Sequence, residues 1–61
     1  MTRENLKLAL LTGAAGVLGS ETARALTADG FRVIMVDLNR KRLEALAQEI
    51  GRGAYPLALD V

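Results

Sequence analysis

The sequence predicts an α/β fold, a doubly wound parallel sheet of which this chain supplies one β-α-β-α-β portion with strand order 3-2-1. Three observations predict it. Short apolar runs alternate with helical repeats, beginning and ending on a strand. The connections are short, and right-handed crossovers set consecutive parallel strands side by side. A glycine triplet, Gly13, Gly16 and Gly19, stands where the first strand gives way to the first helix.

Met1 to Asn5 is polar and is expected to be a loose tail. Leu6 to Leu11 is almost continuously apolar, which suits a strand buried on both faces. From Val17 to Asp29 the period becomes helical: Leu18, Thr22, Ala25 and Leu26 fall on one face, and Glu21 and Arg24 turn away. Gly30 is placed to end that helix. Phe31 to Val36 is the clearest strand, β-branched and apolar, and Asp37 ends it. Asn39 is the expected cap of a second helix, where Leu43, Leu46, Ala47 and Ile50 repeat at helical spacing. Gly51 closes that helix. Ala54 to Val61 reads as a third strand, and Pro56, with no N–H to give to a ladder, assigns it to a sheet edge.

The bulk properties exclude several classes of function. The net charge of +1 gives no electrostatic case for binding nucleic acid or a membrane surface. There is no cysteine and no histidine. Disulfide staples, Cys/His zinc sites and histidine catalysis are therefore excluded, and no metal site is expected. The lack of cysteine fits a reducing compartment, and a cytoplasmic location is expected. Arg3 and Lys7 ahead of Leu8 to Leu18 imitate a signal peptide, but Glu4 sits in the positive region and glycines break the apolar stretch. No apolar run is long enough to cross a bilayer. A fold of about 60 residues buries only ~60% of its unfolded surface, and an unpartnered apolar strand edge invites aggregation. Residues 1–61 are thus expected to be the N-terminal half of a larger domain that continues beyond Val61.

The glycine turn is the first candidate site. A strand, a tight turn and a helix start aim backbone N–H groups at one spot, where the helix dipole favours an anion. The spacing here is G-x-x-G-x-x-G, not the G-x-G-x-x-G of the common dinucleotide fingerprint. A purely structural turn is the alternative. A P-loop is excluded, because Leu18 and Gly19 stand where its second glycine and lysine belong. Ser20, near the helix start, is placed to satisfy a free N–H.

Asp37 is the second candidate. It follows Gly19 by eighteen residues, at the end of the second strand. A dinucleotide fold places an acidic residue there to accept from ribose hydroxyls, and a carboxylate repels a 2′-phosphate, so NAD is favoured over NADP. An aspartate that merely caps the next helix is the alternative. Arg40, Lys41 and Arg42 form a charge run that is either solvated or set to neutralise a 2′-phosphate.

Thr12, Gly13, Gly16 and Gly19, together with Asp37 and the closing Leu59-Asp60-Val61, resemble the short-chain dehydrogenase/reductase family. The resemblance runs from about Leu6 to Val61. The commonest branch of that family carries T-G-x-x-x-G-x-G, and here Val17 stands at its middle glycine. The extended branch carries T-G-x-x-G-x-x-G, which this chain matches at every fixed place, whereas the short second helix and Leu-Asp-Val ending are nearer the commonest branch. The resemblance implies a Rossmann-type fold and NAD as cofactor, with NADP less favoured. It implies a cofactor site made of Gly13, Ala15, Gly16, Val17, Leu18, Gly19, Asp37, Leu38, Asp60 and Val61, with Asp60 facing the adenine and Val61 packing beside it.

The same family uses a Tyr-x-x-x-Lys pair and a serine. Tyr55 is the only tyrosine here, and Leu59, not lysine, is four residues on. Tyr55 is therefore expected to pack, and no residue is nominated as catalytic. The implied function of the full-length protein is hydride transfer between nicotinamide and a small alcohol or carbonyl substrate, in a homo-oligomer. The alternatives are a nucleotide-binding module without turnover, or an extended-branch epimerase or dehydratase that regenerates its NAD.

Overall fold

The computed structural model describes residues 7–59. The expected tail at Met1 to Asn5, the strand start at Leu6, and the site residues Asp60 and Val61 lie outside them. Five elements follow in order: β1 (Leu8–Thr12), α1 (Val17–Ala28), β2 (Arg32–Asp37), α2 (Arg40–Ile50) and β3 (Ala54–Ala58). The three strands form one parallel sheet in the order β1-β2-β3.

Register decides the strand ends. Thr12 pairs with Val36, so β1 runs one residue past Leu11. Asp37 pairs with Ala58, so β2 includes the aspartate that the sequence set just beyond it. β3 spans Ala54–Ala58, the Leu59 N–H donates once more to the Asp37 carbonyl, and the last two residues of the expected strand lie outside the described residues. Pro56 sits opposite Met35 on an edge strand, which its missing donor requires.

Both helices cover the same face of the sheet. Val33 and Met35 of β2, Ala23 of α1 and Leu43 and Leu46 of α2 form one buried cluster, with Ala9, Leu11, Ala54 and Ala58 packed against it. α2 buries the stripe its sequence marks, Leu43 and Leu46 fully and Ala47 and Ile50 in part. α1 does not. Leu18 is 79% exposed, Thr22 and Ala25 also face outward, and Ala23 is the buried residue. The helix closes on the sheet along Gly19, Ala23 and Leu26, whose first two positions are small enough for close approach of backbone to backbone. A leucine would hold the helix off.

The two helices end in different ways. After α1, Gly30 takes φ +91°, its N–H donates to the Thr27 carbonyl, and the Phe31 N–H donates to that of Leu26. This pair of bonds is a Schellman closure. α2 ends at Gly51, whose N–H donates to the Ala47 carbonyl.

No helix covers the opposite face of the sheet among the described residues, although Val36 in the central strand is buried there. Leu8 and Leu10 of β1 are 64% and 67% exposed, and Tyr55 and Leu57 of β3 are about half exposed. Tyr55 thus packs only in part, since no layer lies over its side of the sheet among the described residues.

Candidate functional site

The C-terminal ends of β1 and β2 bring the glycine loop and Asp37 together. The loop is tied down one amide at a time. The Ala14 N–H donates to the Val36 carbonyl at 3.1 Å, the Ala15 N–H to Asp37 Oδ2 at 3.0 Å, and the Gly16 N–H to the Gly13 carbonyl at 3.2 Å. Ala14 is fully buried. The chain reverses at Gly13 with φ +67°, a conformation that glycine adopts without strain. Gly19 serves the packing: a Cβ there would lie 2.3 Å from the Gly13 oxygen and 2.8 Å from the Ala14 Cα.

Gly16 stands at the N-cap of α1 and supplies no side-chain cap. Its carbonyl accepts the first helical bond, from the Ser20 N–H. The amides of Val17, Leu18 and Gly19 come before that bond. An α-helix gives such amides no internal partner, and none of them has one among the described residues. Ser20 does not cap them either; its hydroxyl donates to the Val17 carbonyl. The start of α1 therefore carries three donors without a partner among the described residues, at the positive end of the helix dipole.

Asp37 faces this end from β2. Oδ1 accepts the Asn39 N–H at 3.0 Å, and Oδ2 accepts the Ala15 N–H. The Asn39 amide, then the Ala15 amide, hold its carboxyl below its ordinary pKa, with smaller help from the Leu38 amide and the Arg42 guanidinium against partial desolvation. The carboxylate is therefore ionised at neutral pH. A carboxylate offers about four acceptor positions, so capacity for further donors remains.

A strand, a glycine turn, an uncapped helix and an acidic residue ending the next strand are what a dinucleotide's adenosine diphosphate half requires. The family model described as short chain dehydrogenase matches residues 7–61. The chain belongs to that family.

Sorbitol dehydrogenase of Cereibacter sphaeroides is 44% identical to this family member over 55 residues, taking in 90% of this chain and 22% of that protein. The crystal structure of 3-ketoacyl-(acyl-carrier-protein) reductase from Brucella melitensis complexed with NADH superposes with a TM-score of 0.85 at 37% identity, over 88% of this chain and 22% of that one. A metagenomic short-chain oxidoreductase in complex with NADP superposes at 0.81 with 33% identity, over 88% of this chain and 26% of that one. The chain spans about a fifth of the length of most of the curated relatives it matches.

In this chain, Gly13, Ala15, Gly16, Val17, Leu18, Gly19, Asp37 and Leu38 gather at one end of the sheet. Val17, Leu18 and Leu38 are all at least 70% exposed there. Val17, at the middle-glycine position of the commonest pattern, thus projects largely into the open among the described residues. Ala14 carries no sequence signal of its own, yet its buried amide bond to Val36 anchors the loop. The glycine spacing likewise gives no sign that the amides of Ala15 and Gly16 are used internally.

Behind the loop, α1 and α2 leave a cleft of about 250 Å³ lined by Ala15, Ser20, Arg24, Arg42, Leu46 and Glu49 among others. The Arg24 guanidinium donates to Glu49 across it. Both side chains are largely exposed, so this pair adds at most about 1 kcal/mol. Among the described residues, no three His, Cys, Asp or Glu lie close enough to hold a metal ion. No helix among them is long and apolar enough to cross a membrane.

Proposed function

We propose that these residues are the adenosine-diphosphate-binding half of an NAD(P)-dependent oxidoreductase. The free amides of Val17, Leu18 and Gly19 at the uncapped start of α1 are the observation that carries this reading. They receive the pyrophosphate, with Gly16 leaving the approach open. Asp37, ionised and with acceptor positions to spare, takes the adenosine ribose hydroxyls, and Leu38 flanks them. Asp60 and Val61 are assigned to the adenine. The strand order 3-2-1 then continues past β1 into the rest of a doubly wound sheet, whose further helices cover the open face.

The nicotinamide, once bound, supplies a hydride acceptor or donor for an alcohol or carbonyl carbon. That step belongs to the whole protein and uses residues other than those placed here. The whole protein is assigned to the cytoplasm as a homo-oligomer. NAD is preferred over NADP, because the Asp37 carboxylate repels a 2′-phosphate. The dehydrogenase names of the relatives, sorbitol and galactitol dehydrogenases among them, support an alcohol or polyol substrate.

Asp37→Ala tests the ribose assignment. Hydrogen bonds to a charged group are worth roughly 1.5–3 kcal/mol, so calorimetry should show NAD binding weakened by about that much. NADP, which gains relief from repulsion, should lose less. Equal losses for the two cofactors would remove the assignment.

A further inference from the structure

We propose that Asp37 is also a positioning residue for the phosphate-facing amides, acting through the Ala15 amide whether or not a ribose is present. This rests on the reading of α1 as a phosphate site. The observation is the bridge made by one carboxylate. Oδ2 accepts from Ala15 in the β1–α1 loop, and Oδ1 accepts from Asn39 at the start of α2, each at 3.0 Å. Ala15 lies 22 residues before Asp37 in sequence, so the bond joins the two β–α junctions and not neighbours along the chain.

Its place in the loop gives the bond its effect. Ala14 donates to the Val36 carbonyl and Ala15 to the next residue's side chain, so two consecutive amides stitch the loop to the end of β2. Gly16 follows, and its carbonyl starts α1. With Ala15 held, the chain enters α1 along one path, and the amides of Val17, Leu18 and Gly19 point outward. Without the carboxylate, the partly buried Ala15 N–H has no partner. Gly13, with its positive φ, is then free to swing the loop about the Ala14 anchor. A site that must be ordered on binding holds its ligand less well than one already ordered. The carboxylate accordingly acts twice, on the sugar directly and on the phosphates through the backbone.

Few other charges face Asp37. Residues 13 to 20 carry no titratable side chain, α2 brings Arg42, and Asp60 lies outside the described residues. Protonation of Asp37 therefore reads out at Ala15 with little interference.

Two ligands separate the roles: ADP, and 2′,3′-dideoxyadenosine diphosphate, which keeps the phosphates and lacks the diol. Calorimetry on the protein should show Asp37→Ala weakening the dideoxy compound by roughly fivefold. An affinity within about twofold of the parent protein overturns the proposal. Failure of the ribose reading looks different: the parent protein then binds the two ligands equally. Failure of the phosphate reading is a parent protein that binds neither, and it takes the affinity claim with it.

The loop claim has its own readout. In ¹⁵N-alanine-labelled protein, the Ala15 amide proton should shift as pH falls through the depressed Asp37 pKa, and Asp37→Asn should abolish that titration. An Ala15 resonance indifferent to pH overturns the bridge, with no need for a variant that folds.

Discussion

α1 and α2 both start at the end of a parallel strand, on the same face of the same sheet, and they start differently. α2 carries its own cap: the Asn39 side chain accepts the Arg42 N–H at 3.1 Å. α1 begins at Gly16, which has no side chain to offer, and the amides of Val17, Leu18 and Gly19 have no partner among the described residues. An unsatisfied helix start lowers stability, and it persists where something outside the chain supplies the missing acceptor. The contrast lies between two junctions of the same type, one closed by its own side chain and one left open as the proposed phosphate site requires.

The largest effect should come from closing the space on which the α1 junction depends. Gly19→Val places a branched side chain against the Gly13 carbonyl and Ala14 Cα, both backbone and unable to rotate away. Overpacking costs about 1–3 kcal/mol when side chains can yield, and more when they cannot. Denaturant unfolding should show a loss of about 3 kcal/mol or more. A loss below about 1 kcal/mol would mean that α1 and the loop can part at Gly19 at little cost.

Gly16→Asp makes the α1 junction resemble that of α2. A Cβ at Gly16 would sit 3.5 Å from the Gly13 oxygen, an ordinary contact, and Gly16 has negative φ, so the fold accepts it. Aspartate is a good N-cap and suits the helix dipole. Stability should hold or rise by a few tenths of a kcal/mol. The new carboxylate occupies the free amides and repels a phosphate, so NAD affinity should fall by at least roughly tenfold. Unchanged affinity would place the pyrophosphate elsewhere.

The same contrast explains what could be read from the sequence. α2 was legible because water lies on one side of it, so Leu43, Leu46, Ala47 and Ile50 stand out at helical spacing. α1 misled because hydropathy ranks Leu18 above Ala23, whereas close packing rewards the smaller side chain, and Gly19 settles which face goes down. The glycine turn and the Asp37 position were legible from spacing alone. The bond from Ala15 to Asp37 was not, since it exists only because β2 lies in register beside β1, with Thr12 opposite Val36. Which of the loop's amides remain free also depends on that register.

Asn39→Ala is the smallest of the three changes and the most discriminating. It removes the α2 cap and leaves the Arg42 N–H to water. Loss of an N-cap side chain costs typically about 1 kcal/mol. The Asn39 backbone N–H, which donates to Asp37 Oδ1, survives the substitution, so the carboxylate keeps its strongest partner. Unfolding should therefore register the loss while calorimetry finds the NAD affinity unchanged. If affinity falls in step with stability, the two junctions are one cooperative unit, and the α1 opening owes its shape to α2 as much as to its own glycines.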